Sequence, residues 1–131
     1  MMIGDELFLY TTRGAFKNPT LHRGRIIGRA IVSSAVVPLE RPMNFGGREF
    51  HLGCDIGVVS LAAFGQGIEL SPAIGRLQTF AGTGKGWAVR LRRPLVQITE
   101  ADAALIRSEL QGVAKDHYDI SEYARWYVPA Q

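Results

Sequence analysis

Arg13, Phe16, Lys17, His22, Arg23 and Arg25 fall within the stretch YTTRGAFKNPTLHRGRIIG, Tyr10 to Gly28. Lys85, Trp87, Arg90, Arg92 and Arg93 lie together further along the chain. Cations beside aromatic rings are what holding a single-stranded or flipped-out base requires: the ring stacks on the base while guanidinium groups hold the phosphates. In a strand, alternation puts Arg90 and Arg92 on one face and Arg93 on the other. Each group also has a plainer use. A basic loop can be a solvated hairpin tip, and Phe16 or Trp87 can be core.

Other chemistries fare worse. AGTGKGW, Ala81 to Trp87, lacks the spacing of a phosphate-binding loop, because Thr79 stands where the first glycine belongs and Gly86 where Ser or Thr belongs. Gly65-Gln66-Gly67 is not followed by the helix a dinucleotide site needs. His22, His51 and His117 are scattered, and His51 and Cys54, three apart on a strand, point to opposite faces, so no metal ligand set is expected. No nucleophile elbow or placed carboxylate pair is present. No cofactor is expected, and the chain reads more readily as a binder than as an enzyme.

The elements that must carry these residues are mostly strands. The chain has 131 residues, 47% of them hydrophobic and 21% charged, which suits one globular domain over residues 1–131. Glu6–Tyr10 reads as a strand buried on both faces, and the Ile- and Val-rich stretch from Arg25 to Val37 as another, with Gly28 a bulge or point of close approach. Arg48 to Phe64 begins with alternation and becomes continuously apolar. Gly46-Gly47 and Gly65-Gln66-Gly67 read as turns. WAVRLRR and LVQI, broken by Pro94, read as two strand pieces. Pro72–Leu77 suits a short helix with Ser71 as cap and Pro72 at its first position. Thr99 before two acids opens a helix whose stripe is Leu105, Ile106, Leu110 and Val113. Tyr118, Tyr123, Trp126 and Tyr127, around a further turn or two, are expected to dock on the body. The β-rich body thus covers residues 4–98 and the helical part 99–128.

Charge follows the same division. Residues 1–99 carry twelve Lys or Arg against six acids, and residues 100–131 three against six. No run approaches the roughly 18 apolar residues of a membrane span, and the start MMIGDE has no signal-peptide pattern. Cys54 is the single cysteine, so no internal disulfide can form. The expectation is a cytoplasmic protein with no membrane partner.

GDELFLYTT followed by a loop and RIIGRAIV resembles the EVE and ASCH branches of the PUA-like fold. The matching residues are Gly4-Asp5, Tyr10-Thr11-Thr12 and Ile26-Ile27-Gly28. WAVRLRRPLVQIT looks like the strand that closes such a barrel, and the resemblance covers roughly residues 4 to 112. It implies an α+β fold, a small mixed β-barrel (the PUA-like pseudo-barrel) with a few peripheral helices. It also implies a module that binds RNA or DNA, reading a modified base in a pocket at the end of the first strand. Tyr10, Thr11, Thr12, Phe16, Asn18 and Trp87 would form that pocket, and Arg13, Lys17, Arg23, Arg92 and Arg93 would hold phosphates. The resembling domains carry a strand and a helix ahead of the Gly-Asp turn. Here either that start has been lost or misassigned, or another segment or a second subunit fills the place, and an unpaired barrel edge would serve a homodimer.

Two alternatives stand beside this reading. One is an ASCH-like enzyme acting on RNA or a nucleoside derivative, with Lys17, His22 and Glu49 as acid–base candidates. The other is a protein-interaction module with no nucleic-acid ligand.

Overall fold

The computed structural model describes residues 1–11, 24–45, 48–81, 91, 95–118, 120, 121 and 123. The chain enters through a turn at Gly4, whose φ of +93° a side chain would disfavour. The Asp5 carboxylate accepts from the Met2 N–H at 2.9 Å. The Gly4 N–H donates to the Val32 carbonyl at 2.8 Å, and the Val32 N–H to that of Asp5 at 2.9 Å. The Gly-Asp pair thereby clamps the start of β1 (Glu6–Thr11) to the end of β2 (Arg25–Val32).

The fold is mixed and strand-rich, with two open sheets among the described residues. The first runs in the order β1, β2, β5 (Ile56–Ala62) and β7 (Ala114–Lys115), with β6 (Ile68–Glu69) also pairing to β2. β1 closes the order at one side, and all its residues are half-buried rather than covered on both faces. β2 is the centre, burying Ile26, Gly28, Ala30 and Val32 at every second position. Its register shifts opposite Leu9/Tyr10 on one edge and at Arg29/Ala30 on the other. Such irregularities bend a sheet and sharpen its twist. Gly28 is the expected point of close approach, since a Cβ there would lie 2.5 Å from the Ser60 carbonyl oxygen.

Between β2 and β5 the chain forms a separate hairpin of β3 (Val37–Phe45) and β4 (Arg48–Gly53). Arg48 to Phe64 is therefore two strands on two sheets, broken at Cys54-Asp55. The Asp55 N–H bonds the Ser34 hydroxyl at 2.7 Å, and the Ser33 N–H the Asp55 carbonyl at 2.9 Å, which turns the chain back to β2.

The core lies beside the other end of β2. Ile26, Leu70, Leu77, Phe80, Ile106 and Leu110 form it, with Phe8, Tyr10, Leu91, Ile98 and Leu105 packed around. Leu70, Leu77 and Phe80 come from α1 (Leu70–Ala73) and two short 3-10 turns, Ile74–Arg76 and Gln78–Phe80. α1 starts earlier than its proline suggests. Glu69 stands at the cap position without a side-chain cap bond, and the Leu70 N–H donates to the Gly24 carbonyl at 3.0 Å. Ile106 and Leu110 come from α2 (Glu100–Leu110), capped as expected by the Thr99 hydroxyl, which accepts from the Asp102 N–H at 3.1 Å. Leu95–Ile98 is not a strand; it approaches α2 irregularly, with Leu95 exposed and Ile98 on the core. Tyr118 and Tyr123 dock on β5 and its end, donating to the carbonyls of Val58 at 3.2 Å and Ala62 at 2.8 Å. Trp126 and Tyr127 lie outside the described residues.

Two carboxylates fasten α2 to this frame. Asp102 is 2% exposed and accepts from the N–H groups of Gln78 at 2.8 Å and Thr79 at 2.7 Å and from the Thr79 hydroxyl. Burial pushes its carboxyl up, but the bonds from Thr79 and Gln78 outweigh burial and hold it below its ordinary value. Glu6 accepts from Arg107 at 2.9 Å and from Arg29, joining β1, β2 and α2. The Arg107 bond, against partial burial and with help from Arg29, lowers its carboxyl too.

Both groups have folded values below their unfolded ones. Their stabilisation is complete above the unfolded carboxylate range of about 4 and is lost as pH falls through the lowered folded values. Stability should therefore drop on acidification below about pH 4, read as the urea midpoint against pH. Asp102→Asn turns an amide toward two N–H donors and should cost roughly 2–4 kcal/mol near neutral pH, with a flatter acid limb than the wild type.

Candidate functional site

The residues of the expected pocket that the structure describes are Tyr10 and Thr11, at the end of β1. Ile27 is the extra residue of β2 here, because Leu9 pairs with Gly28 while Tyr10 pairs with Ile26. One residue of slip re-aims every side chain beyond it. Tyr10 consequently lies half-buried against the core cluster, and burial pushes its phenol pKa up. Its hydroxyl has no hydrogen-bond partner among the described residues. The ring reaches across Gly24: a Cβ at that position would lie 2.0 Å from the Tyr10 hydroxyl oxygen and 2.9 Å from Cζ. Gly24 is thus needed for room rather than for an unusual backbone angle.

Around this tyrosine the polar groups are already committed. The Thr11 hydroxyl donates to the Arg25 carbonyl at 3.4 Å. The Arg25 guanidinium, largely covered, pairs with Glu69 at 3.5 Å across β2 and β6. Arg25 thus flanks the first loop without being free for a phosphate. Nearby, the Tyr123 ring meets Phe64 edge-on, with centroids 5.3 Å apart. Burial raises the Tyr123 phenol, and the charge of Arg25 works against that.

Thr12, Arg13, Phe16, Lys17, Asn18 and Arg23 belong to residues 12–23, and Trp87, Arg92 and Arg93 to residues 82–94. All lie outside the described residues, as does His22. What the structure describes is where those segments are rooted. Tyr10 and Ile26 flank the first; Phe80 precedes the second and Leu91 belongs to it. All four contribute to one hydrophobic cluster. Beside it, Ile74, Leu77, Gln78 and Phe80 line an open groove of about 400 Å³. Arg76 at its rim is held by Glu109.

Glu49, an acid–base candidate, is not at this site. It is exposed on β4 of the separate hairpin, 3.7 Å from His51. Among the described residues no three His, Cys, Asp or Glu side chains gather to hold a metal ion. No helix among them is long and apolar enough to cross a membrane. Compared with known proteins, the chain matches no family model, no curated protein and no solved structure.

Gly24→Ala should destabilise the protein by roughly 1–3 kcal/mol through overpacking. Tyr10→Phe, which removes only a hydroxyl with no partner among the described residues, should change stability by less than about 0.5 kcal/mol. The double variant should be more stable than Gly24→Ala alone, because the closest clashing atom is gone. Urea unfolding of the three variants measures this coupling.

Proposed function

We propose that this chain is a nucleic-acid-binding module of PUA-like kind that holds an unpaired or flipped-out base of RNA or DNA beside the end of β1. One observation carries the reading. Segments 12–23 and 82–94 together hold Arg13, Lys17, Arg23, Lys85, Arg90, Arg92 and Arg93 and not one Asp or Glu. The rest of residues 1–99 holds five arginines and six acids, so the positive surplus of this part belongs wholly to those two segments. Among the body arginines, Arg25, Arg29 and Arg76 are spent on Glu69, Glu6 and Glu109.

Acid-free basic segments beside stacking aromatics suit a polyanion whose bases are accessible. Their common rooting on the cluster of Ile26 and Phe80 supports a single site. Tyr10, whose hydroxyl has no partner among the described residues, stands at the root of the first segment, and Phe16 and Trp87 are the stacking candidates within the segments. The Gly4-Asp5 clamp, the bent sheet around β2 and α2 against the core support the PUA-like reading, in which further pairing would close the sheet into a barrel. The enzymatic alternative draws no support from Glu49, which stands on the other sheet.

Fluorescence anisotropy with single-stranded RNA and DNA probes over a range of salt tests the proposal. The logarithm of the affinity should fall linearly with the logarithm of salt concentration, and Arg92→Ala should reduce the slope by about 1. Absence of binding to every probe, or binding indifferent to salt, would overturn it.

A further inference from the structure

We infer that the open groove beside α1 seats one unpaired nucleobase, with the side-chain amide of Gln78 reading its edge. This rests on the nucleic-acid reading and gives it a second place for a base besides the one at the end of β1.

The groove follows from a three-residue repeat. Ile74, Leu77 and Phe80 stand at every third position, the period of 3-10 turns. The Leu77 N–H donates to the Ile74 carbonyl and the Phe80 N–H to that of Leu77, both at 3.3 Å. Leu77 and Phe80 are 5% and 6% exposed and belong to the core, so the groove has a fixed apolar floor. Its volume of about 400 Å³ lies within the range of small-molecule sites.

Gln78 lines the same groove, and its two polar parts differ in their use. Its backbone N–H donates to the Asp102 carboxylate at 2.8 Å, which fixes the residue in place. Its side chain is exposed, and the amide makes no hydrogen bond with the described residues. An amide offers two donors and an acceptor, the set that pairs with the edge of a base. A wall held by a buried carboxylate, bearing an uncommitted amide over an apolar floor, is organised before any ligand arrives.

Charge selects the occupant. None of the lining residues is acidic, and Arg76 among them is paired with Glu109. The chain continues directly from Ala81, which lines the groove, into segment 82–94 with its Lys85, Arg90, Arg92 and Arg93 and no acid. A polyanion complements that segment. Among polyanions, nucleic acids are the ones whose flat rings carry donors and acceptors on their edges. A purely apolar ligand would leave the Gln78 amide unanswered.

Fluorescence anisotropy with two single-stranded probes of equal length and charge tests this, one bearing its bases and one abasic throughout. Gln78→Ala keeps the backbone N–H bonded to Asp102, so the urea midpoint should stay unchanged. It should weaken binding of the base-bearing probe about tenfold and leave both the abasic probe and the salt slope as they were. Gln78→Met, of similar length but without the amide, should do the same. Equal effects on the two probes, or none on either, would overturn the inference and leave the nucleic-acid reading standing. A wild type that binds no probe would overturn both. Variants that alter sedimentation of the protein but neither affinity would assign the groove to a second copy and overturn the inference as well.

Discussion

The carboxylate of Asp102 is the joint on which the architecture turns. It is a buried charge, and a buried charge is tolerable only when its lone pairs are filled. Here two backbone N–H groups and a hydroxyl fill them, all from Gln78 and Thr79. Those N–H groups open a 3-10 turn and would otherwise lack partners. The same residue supplies the N–H that the Thr99 hydroxyl accepts. One side chain therefore satisfies the start of one turn, while its backbone completes the cap of α2. Placement of Ile106 and Leu110 against Leu77 and Phe80 follows from that joint.

From this joint the structure divides its labour. The end of the sheet near Gly24 and Tyr10 is joined to the core, and the two basic segments leave from it. The opposite end, at Val32 and Asp55, carries the hairpin. Arginines of the frame are drawn into ion pairs with Glu6, Glu69 and Glu109. Partly exposed pairs of this kind add little stability singly. Their larger effect is on the electrostatic field, since a paired guanidinium adds little to the attraction of a polyanion.

Much of the frame was legible in the sequence. ELFLY and RIIGRAIV are strong strand signals, and Gly28 behaves as a small residue among bulky neighbours should. Thr99 and the stripe through Ile106 and Leu110 give α2 and its cap. Missed features share a cause: each depends on a partner distant in sequence. Asp102 reads locally as an acid favoured by the helix dipole, and only Gln78 and Thr79 reveal its role. VPLERPMNF has two prolines and mixed polarity, so β3 needed β4 to declare itself. Leu95–Ile98 has strand-like residues but no neighbouring strand among the described residues. At the candidate site Tyr10 was legible as a strand end. Gly24 was not, because the need for glycine there comes from a ring on another strand.

The clasp between Glu6 and Arg107 spans 101 residues of sequence. During synthesis β1 is therefore made well before α2, and the clasp closes only when α2 has emerged. Contacts of such long range slow folding, because loop-closure entropy is lost before they can form. In the interval β1 is held by its ladder with β2 alone, without the clasp to α2. The interval between β1 and α2 is thus a stretch of synthesis in which wrong pairing is open to the chain.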